Sequence, residues 1–104
     1  MDAQIKKGIL ELVILQLLSE KESYGYVLLK KISSKFEVSE SGIYAILRRL
    51  CSDGYLGIHK SQESQGPPRK IYYITNEGRL YLTSQKEELM HIVAVLKTWN
   101  FFDN

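Results

Sequence analysis

The segment "ILELVILQLL", residues 9–18, is apolar on almost every side, with only Glu11 and Gln16 interrupting it. Read as part of a helix over residues 3–19, it has no wet face to spare and must be covered on more than one side. A chain of 104 residues is expected to form one domain, whose interior is too small to enclose such a helix all round. A second copy of the chain is therefore the expected cover. The run is too short and too interrupted to span a bilayer. No export signal is expected at the N-terminus. The single Cys51 cannot form an intrachain disulfide, which suits a reducing cytoplasm.

Downstream, the apolar pattern divides the chain further. "SEKES" breaks the first helix, and Ser23 is the expected cap of a second, "YGYVLLKKISSKF", with Val27, Leu28 and Ile32 inward. Ser39 or Ser41 then caps a third helix over roughly 41–53. In it Ile43, Ile46, Leu47, Leu50 and Cys51 fall at helical spacing on one buried stripe. Gly54 is a suitable stop. "YLGIHK" and "RKIYYIT" read as two antiparallel strands joined by the polar loop "SQESQGPP". Thr75 can cap a final long helix that carries Leu82, Leu89 and Leu96 at heptad spacing. Three helices, a hairpin and a helix predict an α+β, mainly α, fold. It is a winged helix-turn-helix with a two-stranded wing, in which the Gly66-Pro67-Pro68 turn helps shape the wing tip. The expected division is a winged helix over 1–76 and a C-terminal dimerisation helix over 77–104, forming one compact unit.

The charge pattern points the same way. The formal net charge is only +2, but residues 30–70 carry eight bases against four acids. A basic middle suits a local anionic partner. At about 100° per residue, Ser41, Ala45 and Arg48 lie opposite the buried stripe of the third helix, flanked by Tyr44 and Arg49. Arg48 and Arg49 are candidates for base and phosphate contact, since a guanidinium bonds guanine bidentately in the major groove. Ser41 and Tyr44 can donate to phosphate, and Ala45 lets the helix approach closely. Ser39 belongs with them at the helix start. Lys30 and Lys31 of the second helix read first as solvated, with one or two of them candidates for backbone contact. Arg69 and Lys70 divide between wing–phosphate contact and solubility.

Three stretches resemble the PadR-type transcriptional regulators: "YGYVLLKKI", "SESGIYAILRRLCSDGYL" and "YYITNEG". In the family's pattern they supply the opening of the second helix, the recognition helix and the end of the wing, the last through Tyr72, Ile74, Thr75 and Gly78. The chain departs from that pattern with Ala45, where proline is common, and Cys51, where glutamate is common. The resemblance implies a cytoplasmic, dimeric, DNA-binding repressor of the short form. It also implies a planar aromatic effector bound between subunits in some members.

No glycine-rich phosphate loop, Ser–His–Asp pattern or HExxH motif is present, so no enzyme is expected. His59 and His91 lack companions at ligand spacing, so neither metal nor cofactor is expected. Cys51 reads as a small core hydrophobe. The expected dimer interface joins Ile9, Leu12 and Val13 of the first helix to Leu82, Leu89, Ile92, Val93 and Leu96 of the last. Trp99 either fills core or lines an effector site beside Phe101 and Phe102. Two functions stand open: a repressor on a palindromic DNA operator, or a winged-helix module that binds protein instead.

Overall fold

The computed structural model describes residues 4–61 and 69–103. Its elements run α1 (Gln4–Glu20), β1 (Ser23–Tyr24), α2 (Gly25–Ser33), α3 (Glu40–Ser52), β2 (Leu56–Ser61), β3 (Arg69–Ile74) and α4 (Asn76–Thr98). Among the described residues, four helices accompany one small antiparallel sheet of order β1-β3-β2. This is the expected winged helix with one correction. The wing is not two-stranded at its base, because Ser23 and Tyr24 pair with Tyr72 and Ile71 of β3. Ser23 is therefore a strand residue rather than the cap of α2. Tyr24 takes the cap position without a side-chain bond, and the Ser23 hydroxyl donates to the Tyr24 carbonyl at 3.1 Å. Helix α2 also stops at Ser33, short of Phe36. The Gly66-Pro67-Pro68 turn lies outside the described residues.

The core explains the arrangement. Ile14, Leu15 and Leu18 of α1, Leu28 and Ile32 of α2, and Ile43, Ile46, Leu47 and Leu50 of α3 are all buried. They close on Leu56, Tyr72 and Ile74 of the sheet and on Leu82 of α4. Helix α1 thus spends one side on its own core, while Ile9, Leu12 and Val13 remain only half-buried. Leu82 is 5% exposed, so it is corrected from an interface residue to a core residue of its own chain. The heptad that contains it runs from the core into solvent as α4 leaves the body.

Local chemistry sets the helix ends. The Ser39 hydroxyl accepts from Gly42 N–H at 3.0 Å, settling which serine caps α3. Gly54, with φ 84°, ends that helix as expected, in a left-handed conformation that glycine adopts without penalty. Tyr55 N–H then returns to the Leu50 carbonyl and Gly54 N–H to that of Cys51, at 2.9 and 3.1 Å. Helix α4 stops by the same pair of bonds, from Phe101 to Leu96 and from Asn100 to Lys97, with Asn100 at φ 57°.

Thr75 is the junction between these parts. Its hydroxyl donates to the Gly54 carbonyl at 2.7 Å and accepts from Gly78 N–H at 3.0 Å, while its own N–H reaches the Tyr55 carbonyl at 3.1 Å. The end of α3 and the start of α4 are therefore held on one residue. The junction is so close that a Cβ on Gly78 would overlap the Tyr55 carbonyl oxygen and stand 2.8 Å from Ile74 Cγ1. We predict that Gly78→Ala lowers stability by about 1–3 kcal/mol, the usual cost of overpacking. A chemical denaturation midpoint unchanged from wild type would contradict this tight approach.

Candidate nucleic-acid interface

Burial of the Ile43–Leu50 stripe turns the rest of α3 outward in three sectors. Ser41, Ala45 and Arg48 face solvent. Arg49, one residue on and therefore rotated by about 100°, points toward α1. There its guanidinium pairs with the Glu11 carboxylate, whose side chain is only 15% exposed. On the opposite edge, Tyr44 is half-buried and lines a cavity with Tyr72 and Lys70 of β3.

This geometry sorts the expected contacts. Arg48, Ser41 and Ala45 share one exposed face. Arg49 is paired with Glu11 within the chain. Ser39 is employed as the cap, and its Oγ lies 3.4 Å from that of Ser41. Lys30 and Lys31 are exposed on α2, and Arg69 and Lys70 are exposed at the start of β3. Lys60 and Ser61 of β2 face Lys70 and Arg69 across the ladder, which places three cations on one short stretch of hairpin.

The electrostatics link α3 to this stretch. Burial pushes the Cys51 thiol up from its usual range, and the nearby Lys70 charge opposes that shift. Burial likewise raises the Tyr72 phenol, with Cys51 and Tyr44 adding to the effect and Arg48 opposing it. Cys51, half-buried against the core, packs as expected. Tyr81 of α4 stacks on Tyr55 at 4.1 Å, and its phenol is raised by burial first, then by Glu11 and Tyr55, against Arg49.

Two residues escaped the sequence reading. Tyr26 of α2 is 46% exposed and stacks on Tyr24, with ring centroids 5.7 Å apart. The Arg69 guanidinium stands 5.9 Å from the Tyr26 ring centre. The signal available in the sequence was the spacing of Tyr26 and Lys30, which puts both on one outer stripe of α2.

The remaining candidates lie elsewhere. Leu89 and Ile92 are exposed on the second half of α4, and Val93 and Leu96 are half-buried. Trp99 is 73% exposed, so it does not fill core. Phe101 and Phe102 beside it are also exposed and meet edge-on at 5.2 Å. A hollow of about 600 Å3 lies between α1 and the start of α3, lined by Lys6, Lys7, Leu10, Val38, Ile43 and Ile46. Among the described residues no helix is long and apolar enough to cross a membrane, and no three potential metal ligands gather.

Known proteins share this arrangement. A crystallised PadR-like transcriptional regulator from Bacillus cereus is 33% identical with a TM-score of 0.81, over 98% of this chain and 99% of that one. A PadR family transcription regulator from Clostridium difficile is 30% identical with a TM-score of 0.78, over 86% of this chain and 96% of that one. An uncharacterized protein of Lysinibacillus sphaericus is 31% identical over 98 residues, 90% of each chain. The model of the transcriptional regulator PadR-like family matches residues 14–84, from the buried half of α1 through the wing to the first turns of α4. The chain belongs to the PadR-like family, and its work is DNA-binding regulation of transcription rather than catalysis.

Proposed function

We propose that this protein is a dimeric repressor that reads a palindromic operator with α3 and is released from it by a flat aromatic ligand. The observation that carries the reading is the outward face of α3, with Arg48, Ser41 and Ala45 exposed beside the cationic start of the wing. A helix in the major groove offers such a face. Arg48 then bonds a base, while Ser41, Lys30, Arg69 and Lys70 meet phosphates. Arg49 contributes by holding α3 against α1. The alternative, a module that binds protein, finds less support, because Arg48 on this face and Lys30, Lys31, Arg69 and Lys70 on α2 and the wing are exposed cations.

Dimerisation is supported by the apolar surface left over. Leu89, Met90, Ile92, Trp99, Phe101 and Phe102 are all exposed on or just beyond the second half of α4. Together with Ile9, Leu12 and Val13 of α1, they make a surface that water disfavours. Burying each large side chain is worth about 1.5–3 kcal/mol. A two-fold pair formed through α1 and α4 would present two α3 helices to two half-sites. Trp99 and its phenylalanine neighbours would then lie near the interface, where a planar ligand gains ring contacts. Such a ligand acts by favouring one spacing of the two α3 helices over another.

The two arginines are predicted to separate. Arg48→Ala should weaken binding to the operator by about 1–3 kcal/mol and relax discrimination at one base position. Arg49→Ala should lower stability by about 1 kcal/mol, a modest figure because its side chain is 43% exposed, while leaving base preference intact. Equilibrium binding to single-base operator variants, with thermal melts alongside, checks both. Equal loss of base discrimination in the two variants would contradict the assignment.

Leu89→Glu should shift the protein toward monomer and remove tight operator binding, because the interface would bury an unpaired charge. Sedimentation of the unaltered protein as a monomer at micromolar concentration would overturn the dimer. For the effector, Trp99 fluorescence should respond to planar aromatic compounds that release DNA. Equal release from Trp99→Ala by those compounds would remove Trp99 from the site.

A further inference from the structure

The surface between α2 and the wing holds a group of side chains that neither the core nor the outward face of α3 accounts for. Tyr24, the last residue of β1, and Tyr26, in the first turn of α2, stack at 5.7 Å with ring planes only 21° apart. Tyr24 lies on the protein side of the pair. It is half-buried, and its hydroxyl is 3.5 Å from Ser61 Oγ of β2, reaching past the intervening strand. Tyr26 is the exposed partner. Arg69, at the start of β3, sets its guanidinium carbon 5.9 Å from the Tyr26 ring centre, within the range of a cation–π contact. These residues, with Lys70 and Tyr44, border a hollow of about 250 Å3 between α2, α3 and the wing.

An arginine at the end of a strand loses side-chain freedom whenever it grips a phosphate, and that loss opposes binding. A ring that already holds the guanidinium removes part of the cost before DNA arrives. The stack on Tyr24 fixes the ring in turn, because Tyr24 is held within the sheet by its pairing with Ile71. The hollow lies where the exposed face of α3 gives way to the wing, so a duplex backbone running from one to the other must pass it.

We propose that Tyr26 is a positioning residue of the DNA-binding surface, holding Arg69 ready for a backbone phosphate, with Tyr24 as its support. The assignment rests on the reading that α3 and the wing face DNA. It makes the effect independent of base sequence, because a phosphate contact carries none.

The test is equilibrium binding to several unrelated duplexes across a salt series. It compares wild type, Tyr26→Ala, Tyr26→Phe, Tyr26→Leu, Arg69→Ala and the Tyr26→Ala/Arg69→Ala double variant. Tyr26→Ala and Arg69→Ala should each weaken every duplex by about two- to fivefold, the factor matching a cation–π contact at an exposed site. Arg69→Ala should also flatten the slope of log K against log salt by about 0.9, the value of one phosphate, whereas Tyr26→Ala, which keeps the cation, should flatten it less. The double variant should be no weaker than Arg69→Ala alone. Tyr26→Phe keeps the ring face and should bind as wild type. Because Tyr26 is exposed, the alanine variant should fold. Tyr26→Leu, which keeps an apolar body without a ring face, should bind as the alanine variant does. Wild-type slope and affinity in Tyr26→Ala, or losses that add fully in the double variant, would overturn the positioning role alone. A wild-type protein with no salt-dependent duplex binding would overturn the DNA-facing reading itself.

Discussion

Burial of Ile43, Ile46, Leu47 and Leu50 fixes the rotation of α3 about its own axis, and the remaining features of the surface follow from that rotation. A helix so anchored cannot turn by one residue without bringing Arg48 or Arg49 toward the core. The outward sector therefore belongs to Ser41, Ala45 and Arg48. The sector facing α1 belongs to Arg49 and its Glu11 partner, and the sector facing the wing belongs to Tyr44 and Cys51. Two adjacent arginines of identical chemistry thus receive different work. One is presented to solvent, and the other spends its charge inside the chain.

The second constraint is the junction at Thr75. One side chain and one backbone N–H bind the turn after α3 to the first turn of α4. The Tyr55–Tyr81 stack reinforces the same seam. Helix α4 is about 35 Å long from its 23 residues, and only its first turns belong to the core. Movement of its outer half would be transmitted through this junction to the end of α3. In the proposed dimer, a ligand near Trp99 would act at the far end of that lever.

Features set by neighbours in the chain were legible in the sequence. The α3 stripe, the cap at Thr75 and the glycine stop at Gly54 are local, so spacing and residue type were enough, whereas only the bond from Gly42 N–H separated Ser39 from Ser41 as the cap of α3. What stayed hidden depends on partners distant in sequence. Strand β1 has only two residues, too few for a periodic signal, and exists because β3 pairs with it. The pair of Arg49 with Glu11 joins residues 38 positions apart that nothing in their local sequence connects. Leu82 shares a heptad with Leu89 and Leu96, yet core packing claims the first and leaves the others outside. Tyr26 looked like part of a motif, and its significance emerged only when the fold set Arg69 above its ring.

In the proposed dimer, two copies of this α3 face, joined through α1 and α4, read one duplex. Enrichment of bound duplexes from a random DNA pool tests it most directly. The account predicts a palindrome with half-site centres about 10–10.5 base pairs, or a multiple of that, apart, as two major-groove helices on one side of the duplex require. Recovery of a single asymmetric site, or no enrichment over the starting pool at low salt, would contradict it.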